Sequence, residues 1–376
     1  MSCLVREIID FIETWAPSAS AQSYDNVGLQ VGHMDADISS GLIALDLTPG
    51  IVDEAIQMGA EIIVTHHPLI FNPIQKLSSE SLVPSLALKL AEHRIALIAA
   101  HTNLDAARDG VSFHLAETVG LTDVQFLSGL DNVVSKLVVF VPIDHAEAVR
   151  DAAHKAGAGT IGRYSDCSFS VGGTGQFKPG SSTRPFIGKS EGQLERVHEV
   201  RIEMEVVSWK KAAVLAAIKS AHPYEELAYD LFPVSQPYRD AGIGAVGTLT
   251  TPMLLSDFLT HVCRVLEAPS VRYAGSPDKL VQRIAVCGGS GSDFIGLAKQ
   301  AGADVYITGD ITYHRFFDVL TPGGMIDMAL IDAGHYETEK GTESLMRSRL
   351  KATFPSVSWH TTTQRSSPSS TWVAPE

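Results

Sequence analysis

Two stretches of the chain look like copies of one another in pattern. Residues 44–67 (ALDLTPGIVDEAIQMGAEIIVTHH) and 285–310 (AVCGGSGSDFIGLAKQAGADVYITGD) each run from a strand through a helix to Gly-Ala-acid, then along an apolar run ending in Thr. The next strand repeats as well. Ala96-Leu97-Ile98 leads to His101-x-x-x-Asp105, and Ala329-Leu330-Ile331 leads to His335-x-x-x-Glu339. Strands that are continuous apolar runs, alternating with helices, predict a mostly parallel sheet covered on both faces. The fold class is therefore α/β, with two homologous lobes forming one discontinuous domain. Metal-type side chains at matching strand ends predict one site shared between the lobes.

The first lobe, 1–131, opens with helical spacing from Val5 to Trp15, stopped by Pro17. It continues with strands at Gly41–Asp46, Ile62–Thr65 and Ala96–Ala100, and helices at Pro49–Met58 and Leu82–His93. The second lobe, 235–376, repeats this from about Ser256 to Leu350. The middle, 132–234, reads strand-helix-strand twice, with strands at Lys136–Val141, Val200–Val207 and Leu227–Val234 and helices at Ala146–Ala156 and Lys210–Ser220. That is the split ferredoxin-like pattern of an inserted α+β domain. Residues 157–192 between its halves, rich in Gly, Ser and Pro, read as hairpins and loops. The polar tail from Thr361 reads as mobile, with Trp372 as a possible exception.

A net charge of −14 argues against nucleic acid as a partner, because phosphate binding needs clustered Lys and Arg. Cys3, Cys167, Cys263 and Cys287 are scattered and form no C-x-x-C pair, which argues against a zinc-thiolate knot and a disulfide framework. No secretory signal and no apolar run long enough to span a membrane stand in the sequence, so a cytoplasmic protein is expected.

His66-His67 follows a buried strand, where open α/β sheets gather ligands. Two adjacent imidazoles there can face two different ions, or they can be surface or capping histidines. His335 and Glu339 are spaced i, i+4 and share one face of a helix, as do His101 and Asp105. Each pair alone also fits a first helical turn with an acid near the dipole. Imidazoles plus carboxylates without thiolate suit Zn, Mn, Fe, Co or Ni. A bridging carboxylate such as Glu339 would hold two ions about 3.5–4 Å apart, an arrangement that favours hydrolysis. Thr308-Gly309-Asp310 replaces the double histidine in the second copy, so the site is asymmetric. Asp310 and His314 remain as supporting or proton-carrying candidates; His314 fits a surface helix equally well. Asp25-Asn26-Val27-Gly28 reads as a turn whose Asp and Asn could orient a ligand. His222-Pro223-Tyr224 in the insert reads as a plain turn. The glycine-rich loop Gly288–Ser292 is a weak phosphate cradle, lacking a P-loop lysine.

The segments SYDNVGLQVG (23–32), IVTHHPLIF (63–71), AAHTNLDAA (99–107), HPYEELAYDL (222–231), TGDITYH (308–314) and GHYETE (334–339) together resemble the GTP cyclohydrolase 1 type 2 group, the NGG-interacting-factor-like proteins. The segment from Gly157 to Gly180 looks like the long form, whose inserted domain is similar to the PII signalling proteins. The resemblance implies two divalent metal ions, with Zn foremost, on His66, His67, Asp105, His335 and Glu339. It moves His101 from ligand to proton carrier beside His314. It also implies a toroidal homohexamer, and opening of the guanine ring of GTP with release of formate. Tyr24 stands where Trp is expected, Glu337 adds a carboxylate, and the tail departs from the family ending. The competing function is a metal-binding regulatory or scaffold protein with an effector at the insert. A nucleic-acid-binding ring is disfavoured by the charge.

Overall fold

The computed structural model describes residues 3–370 and Trp372. Apolar residues three and four apart make Val5–Trp15 a helix that buries Val5, Ile8 and Ile12. In the first repeat, Thr48 caps the helix Pro49–Met58 by accepting from Ile51 N, and Pro49 occupies the first turn, where its missing N–H costs nothing. The chain forms two compact units. One is built from the chain up to Gly129 and from Ala241 on; the other is Leu130–Asp240.

The first unit contains two main sheets of like design. In the first sheet, Ser40–Ala44, Ile62–Thr65 and Ala96–Ala99 run parallel in chain order, and Gly28–Val31 lies antiparallel at the edge beside Ala96–Ala99. In the second sheet, Leu280–Ser290, Val305–Gly309 and Ala329–Asp332 repeat the parallel order, with Arg272–Ala274 antiparallel at the corresponding edge. Side chains alternate between two buried faces. Ile43, Ile62, Val64 and Ile98 pack on the Val5–Trp15 side, whereas Leu42, Ala44, Ile63 and Leu97 pack on Ile51, Val52, Leu86 and Leu90. The second sheet does the same, with Ile284, Val286, Val305 and Ile331 on one face and Ala285, Tyr306 and Leu330 on the other. Burial on both faces is why these strands read as unbroken apolar runs.

Each sheet has additions that the sequence pattern does not announce. Leu121–Leu130 and Tyr238–Leu254 extend the second sheet. Both carry Gly, Thr and Asp, which are poor strand signals out of context. Ser358–Thr361 adds a parallel strand beside Ser40–Ala44. There Trp359, 3% exposed, lies over Gly41, where a Cβ would come within 2.4 Å of the indole ring. The chain after Thr361 departs from the expected mobile tail: Thr362 N donates to Ile43 O at 2.9 Å and Ser366 is buried. Trp372 is exposed; Thr371 and the residues after Trp372 lie outside those described.

The second unit runs strand Val134–Pro142, helix Ala146–Lys155, strands Phe169–Phe177 and Glu195–Val207, helix Lys211–Ala221 and strand Tyr229–Pro233. Its sheet is antiparallel, with Val134–Pro142 and Glu195–Val207 in the middle. Leu137, Val139, Ile202 and Met204 form a core with Val149, Ala153, Val214 and Ile218 of the two helices. Within the expected hairpins and loops of 157–192, Phe169–Phe177 is the strand that pairs antiparallel with Glu195–Val207. Among the described residues, no helix is long and apolar enough to cross a membrane.

Candidate metal centre

Five strand ends of the first unit deliver the side chains of the site. Ile62–Thr65 ends in His66-His67, Ala96–Ala99 leads to His101, and the turn Thr102–Asp105 carries Asp105. Ala329–Asp332 leads through Gly334 into the helix His335–Glu339. Asp46 and Asp310 follow Ser40–Ala44 and Val305–Gly309. Glu339, 3% exposed, is the centre of the arrangement. Its Oε1 lies 3.7 Å from His66 Nε2, which lies 3.7 Å from Asp105 Oδ1. Its Oε2 lies 3.1 Å from His67 Nε2 and 3.0 Å from His335 Nε2, and those two nitrogens are 3.4 Å apart. Two groups able to hold a metal ion result, His66/Asp105/Glu339 and His67/His335/Glu339, each with its ligand atoms within 4.8 Å of one another; His66/His67/His101 is a third.

Every imidazole of the cluster is held from behind. His66 Nδ1 donates to Ala100 O at 2.8 Å, His67 Nδ1 to Asp46 at 2.7 Å, His335 Nδ1 to Asp310 at 2.7 Å and His101 Nδ1 to Asp25 at 2.9 Å. These partners are acceptors, so the proton sits on Nδ1 and Nε2 is turned to the centre, the usual support of a metal-binding histidine. His66 Nε2, Asp105 Oδ1 and Glu339 Oε2 are buried there without a hydrogen-bond partner. Buried polar atoms are rarely left so. Three converging orphans, two of them anionic oxygens, fit a divalent cation, and the donor set of imidazole and carboxylate suits it.

The electrostatics show how strongly the cluster demands positive charge. Burial lowers the His67 pKa, but the Asp46 carboxylate it donates to and the Glu339 carboxylate beside it outweigh that and push it up to about 10. His335 is pushed up to about 9, chiefly by the Glu339 carboxylate beside it, against burial. Burial raises the Glu339 carboxyl, yet His335, His66 and His67 hold it well below the usual range. Burial raises Asp105, with His66 opposing and the Glu339 carboxylate adding to the rise. Protons supply this charge to the protein alone, and a metal would replace them.

His66, His67, Asp105, His335 and Glu339 thus lie together, and His101 stands beside them with its ring centre 5.3 Å from those of His66 and His67. His314 does not join them. It is exposed on the short helix Tyr313–Val319, against Tyr313 and Phe317, so its expected role as proton carrier has no geometric support. The glycine-rich loop is not a phosphate cradle either, because Gly289 N donates to Thr338 Oγ1 and Gly291 N to Thr308 Oγ1. Its glycines serve the carboxylate: at Gly289, with φ of +61°, a Cβ would fall 2.1 Å from Glu339 Oε1. Asp25 orients His101 and also accepts from Thr102 N and Oγ1. Asp46 was not singled out in the sequence; its place just beyond a strand end was the available signal. His222 in the other unit is satisfied by Phe140 O and Tyr224 N, as a plain turn requires.

The Duf34/NIF3 (NGG1p interacting factor 3) family profile matches residues 3–368. The chain belongs to that family. Among similar curated proteins is a "GTP cyclohydrolase 1 type 2 homolog" of Bacillus subtilis, 40% identical over 343 residues that cover 91% of each chain. One of the same name from Halalkalibacterium halodurans is 39% identical over 345 residues, 92% of this chain and 90% of that one. Among solved structures, the Bacillus cereus protein related to NIF3 superposes with a TM-score of 0.80 at 39% identity, covering 98% of this chain and 99% of the other. In this Duf34/NIF3 chain the centre opens onto a cavity of about 780 Å³. Asp46, His67, His101 and His335 face it, together with Tyr336, Glu337 and Arg365.

Proposed function

We propose that this chain is a dinuclear metal-dependent hydrolase acting on a nucleotide or related heterocycle, with GTP ring opening and formate release as the first reaction to assay. The observation that carries the reading is Glu339, whose two oxygens each face their own set of ligand atoms, one with His66 and Asp105 and the other with His67 and His335. Two divalent ions held there, Zn foremost and Mn, Fe, Co or Ni as alternatives, would supply an acidified water and polarise the bond under attack. The protein's own residues do the rest. Asp46 and Asp310 fix the imidazoles, and burial of Glu339 excludes competing solvent. His101, locked by Asp25 through Nδ1, presents Nε2 to the cavity as the group that moves a proton. The curated relatives' name supports the choice of GTP, although a metal centre does not by itself select a substrate.

The same reading takes Leu130–Asp240 as a PII-like insert and the assembly as a cytoplasmic homohexamer, to be checked by light scattering. The deciding experiment is metal content per chain on protein purified without chelator or nickel resin. About two ions per chain, and loss of formate release from GTP in Glu339→Gln with the fold intact by circular dichroism, are expected. A folded wild-type chain that takes up neither Zn nor Mn would overturn the proposal and leave the scaffold role.

A further inference from the structure

The polar segment after the last strand is tied down by carboxylates. Thr363 donates to Glu54 Oε1 through its N at 2.9 Å and its Oγ1 at 2.7 Å. The Arg365 guanidinium lies 4.9 Å from the centre of the Tyr336 ring and 3.5 Å from Glu337. Ser366 is 4% exposed and donates from Oγ to Asp46 Oδ2 at 2.8 Å. Ser367, Pro368 and Ser369 then form part of the wall of the cavity.

The bond from Ser366 completes a chain. Asp46 gives one oxygen to His67 Nδ1 and the other to Ser366 Oγ. A carboxylate bound through one oxygen can rotate about its own bond and swing the imidazole that depends on it. Bound through both, it has one orientation, and so has His67. His335 is supported by Asp310 and His66 by a backbone carbonyl. Of these three imidazoles, His67 is the one whose support reaches the C-terminal segment.

We propose that Ser366 is a positioning residue of the metal centre, acting through Asp46 on His67. The ion position of His67, His335 and Glu339 therefore depends on the C-terminal segment, whereas that of His66, Asp105 and Glu339 does not. This rests on the dinuclear reading above.

The test is a Zn²⁺ titration of the metal-free full-length chain against a competing chelator, with thermal melts of the same samples. Four proteins are compared: wild type, Ser366→Ala, Ser366→Val and Ser366→Thr. The valine excludes a water that could stand in for the lost hydroxyl beside alanine. Loss of a hydrogen-bonding group behind a metal ligand typically costs about 10- to 100-fold in affinity. We expect one of two binding steps to weaken by about that factor in Ser366→Val and Ser366→Ala, the other to stay within about twofold, and Ser366→Thr to recover the wild-type value, with metal-free melting alike in all four. Unchanged steps in the valine variant, equal weakening of both steps, or no recovery by threonine would overturn the assignment while leaving the metal centre standing. A wild-type chain that binds no Zn²⁺ would remove the dinuclear reading, and this inference with it.

Discussion

Gly289→Ala changes no ligand, yet it should empty the centre. The new Cβ would lie 2.1 Å from Glu339 Oε1, 3.0 Å from its Cδ and 3.2 Å from His335 Nε2. Relaxed contacts need about 3.5 Å, so the carboxylate oxygen must withdraw by roughly 1.4 Å. Metal-ligand distances tolerate about 0.2 Å, so neither oxygen would remain in place for an ion. Affinity should fall by about 100-fold, or about 2.8 kcal/mol at 1.4 kcal/mol per factor of ten. The left-handed backbone at 289, φ +61°, adds about 1–2 kcal/mol of folding cost for any residue with a Cβ. That should lower the melting temperature by a few degrees in a chain of this size. Gly324→Ala is the control: its φ is +77° and its Cβ would meet nothing within 4 Å, so it carries the backbone cost alone. Metal per chain by mass spectrometry and chelator competition, with circular dichroism melts, separates the two effects. If Gly289→Ala keeps its metal with affinity within about twofold of wild type, the placement of Glu339 between two ions is wrong.

Three further outcomes follow from the same geometry. Asp25→Asn leaves donors of His101 and Thr102 short of an acceptor and should cost about 1–3 kcal/mol at neutral pH. Although burial raises it, His101 and Thr102 hold the Asp25 carboxyl well below its usual range, so its stabilisation is present above about pH 4 and is lost as pH falls; the variant's melting temperature should fall less between pH 5 and 3 (about these values), and equal acid sensitivity would contradict this. With His67 raised to about 10 and His335 to about 9, the metal-free protein keeps their contribution below about pH 6.5 and loses it as pH climbs through those values. Metal-free melting should therefore drop from about pH 8 to 10 while metal affinity rises and uptake releases protons; a flat melting curve over that range would contradict it. Gly41→Ala would drive a Cβ to 2.4 Å from the Trp359 ring, and calorimetry should show about 1–3 kcal/mol of destabilisation from overpacking, with none if the indole can slide aside.

What could be read in advance follows from local physics. The helix Val5–Trp15, the strand Ile62–Thr65 and the helix Pro49–Met58 declare themselves through periodicity, caps and continuous apolar runs. The histidines and Glu339 declare themselves by standing at repeated strand ends. Tyr238–Leu254 gives little strand signal of its own, because its order comes from Leu121–Leu130 and Leu280–Ser290 on either side of it, not from its composition. The roles of Asp46 and Ser366 were hidden for the same reason, since 320 positions separate them and only the sheet edge brings them together. His314 carries the right chemistry for a proton carrier, but its ring packs on Tyr313 and Phe317 at the surface.

Glu339 closes a set of side chains of which His66, His67 and Asp105 are made early. His67 and His335 approach within 3.4 Å across 268 positions of chain. While the protein is being synthesised, His66, His67, Asp105, and His101 with its supporting Asp25, leave the ribosome long before the helix His335–Glu339 exists. A nascent or prematurely terminated chain therefore carries half a set of ligands with no bridging carboxylate. The centre therefore cannot be ready before residue 339 has been made, and a fragment ending before Glu339 lacks the bridging carboxylate.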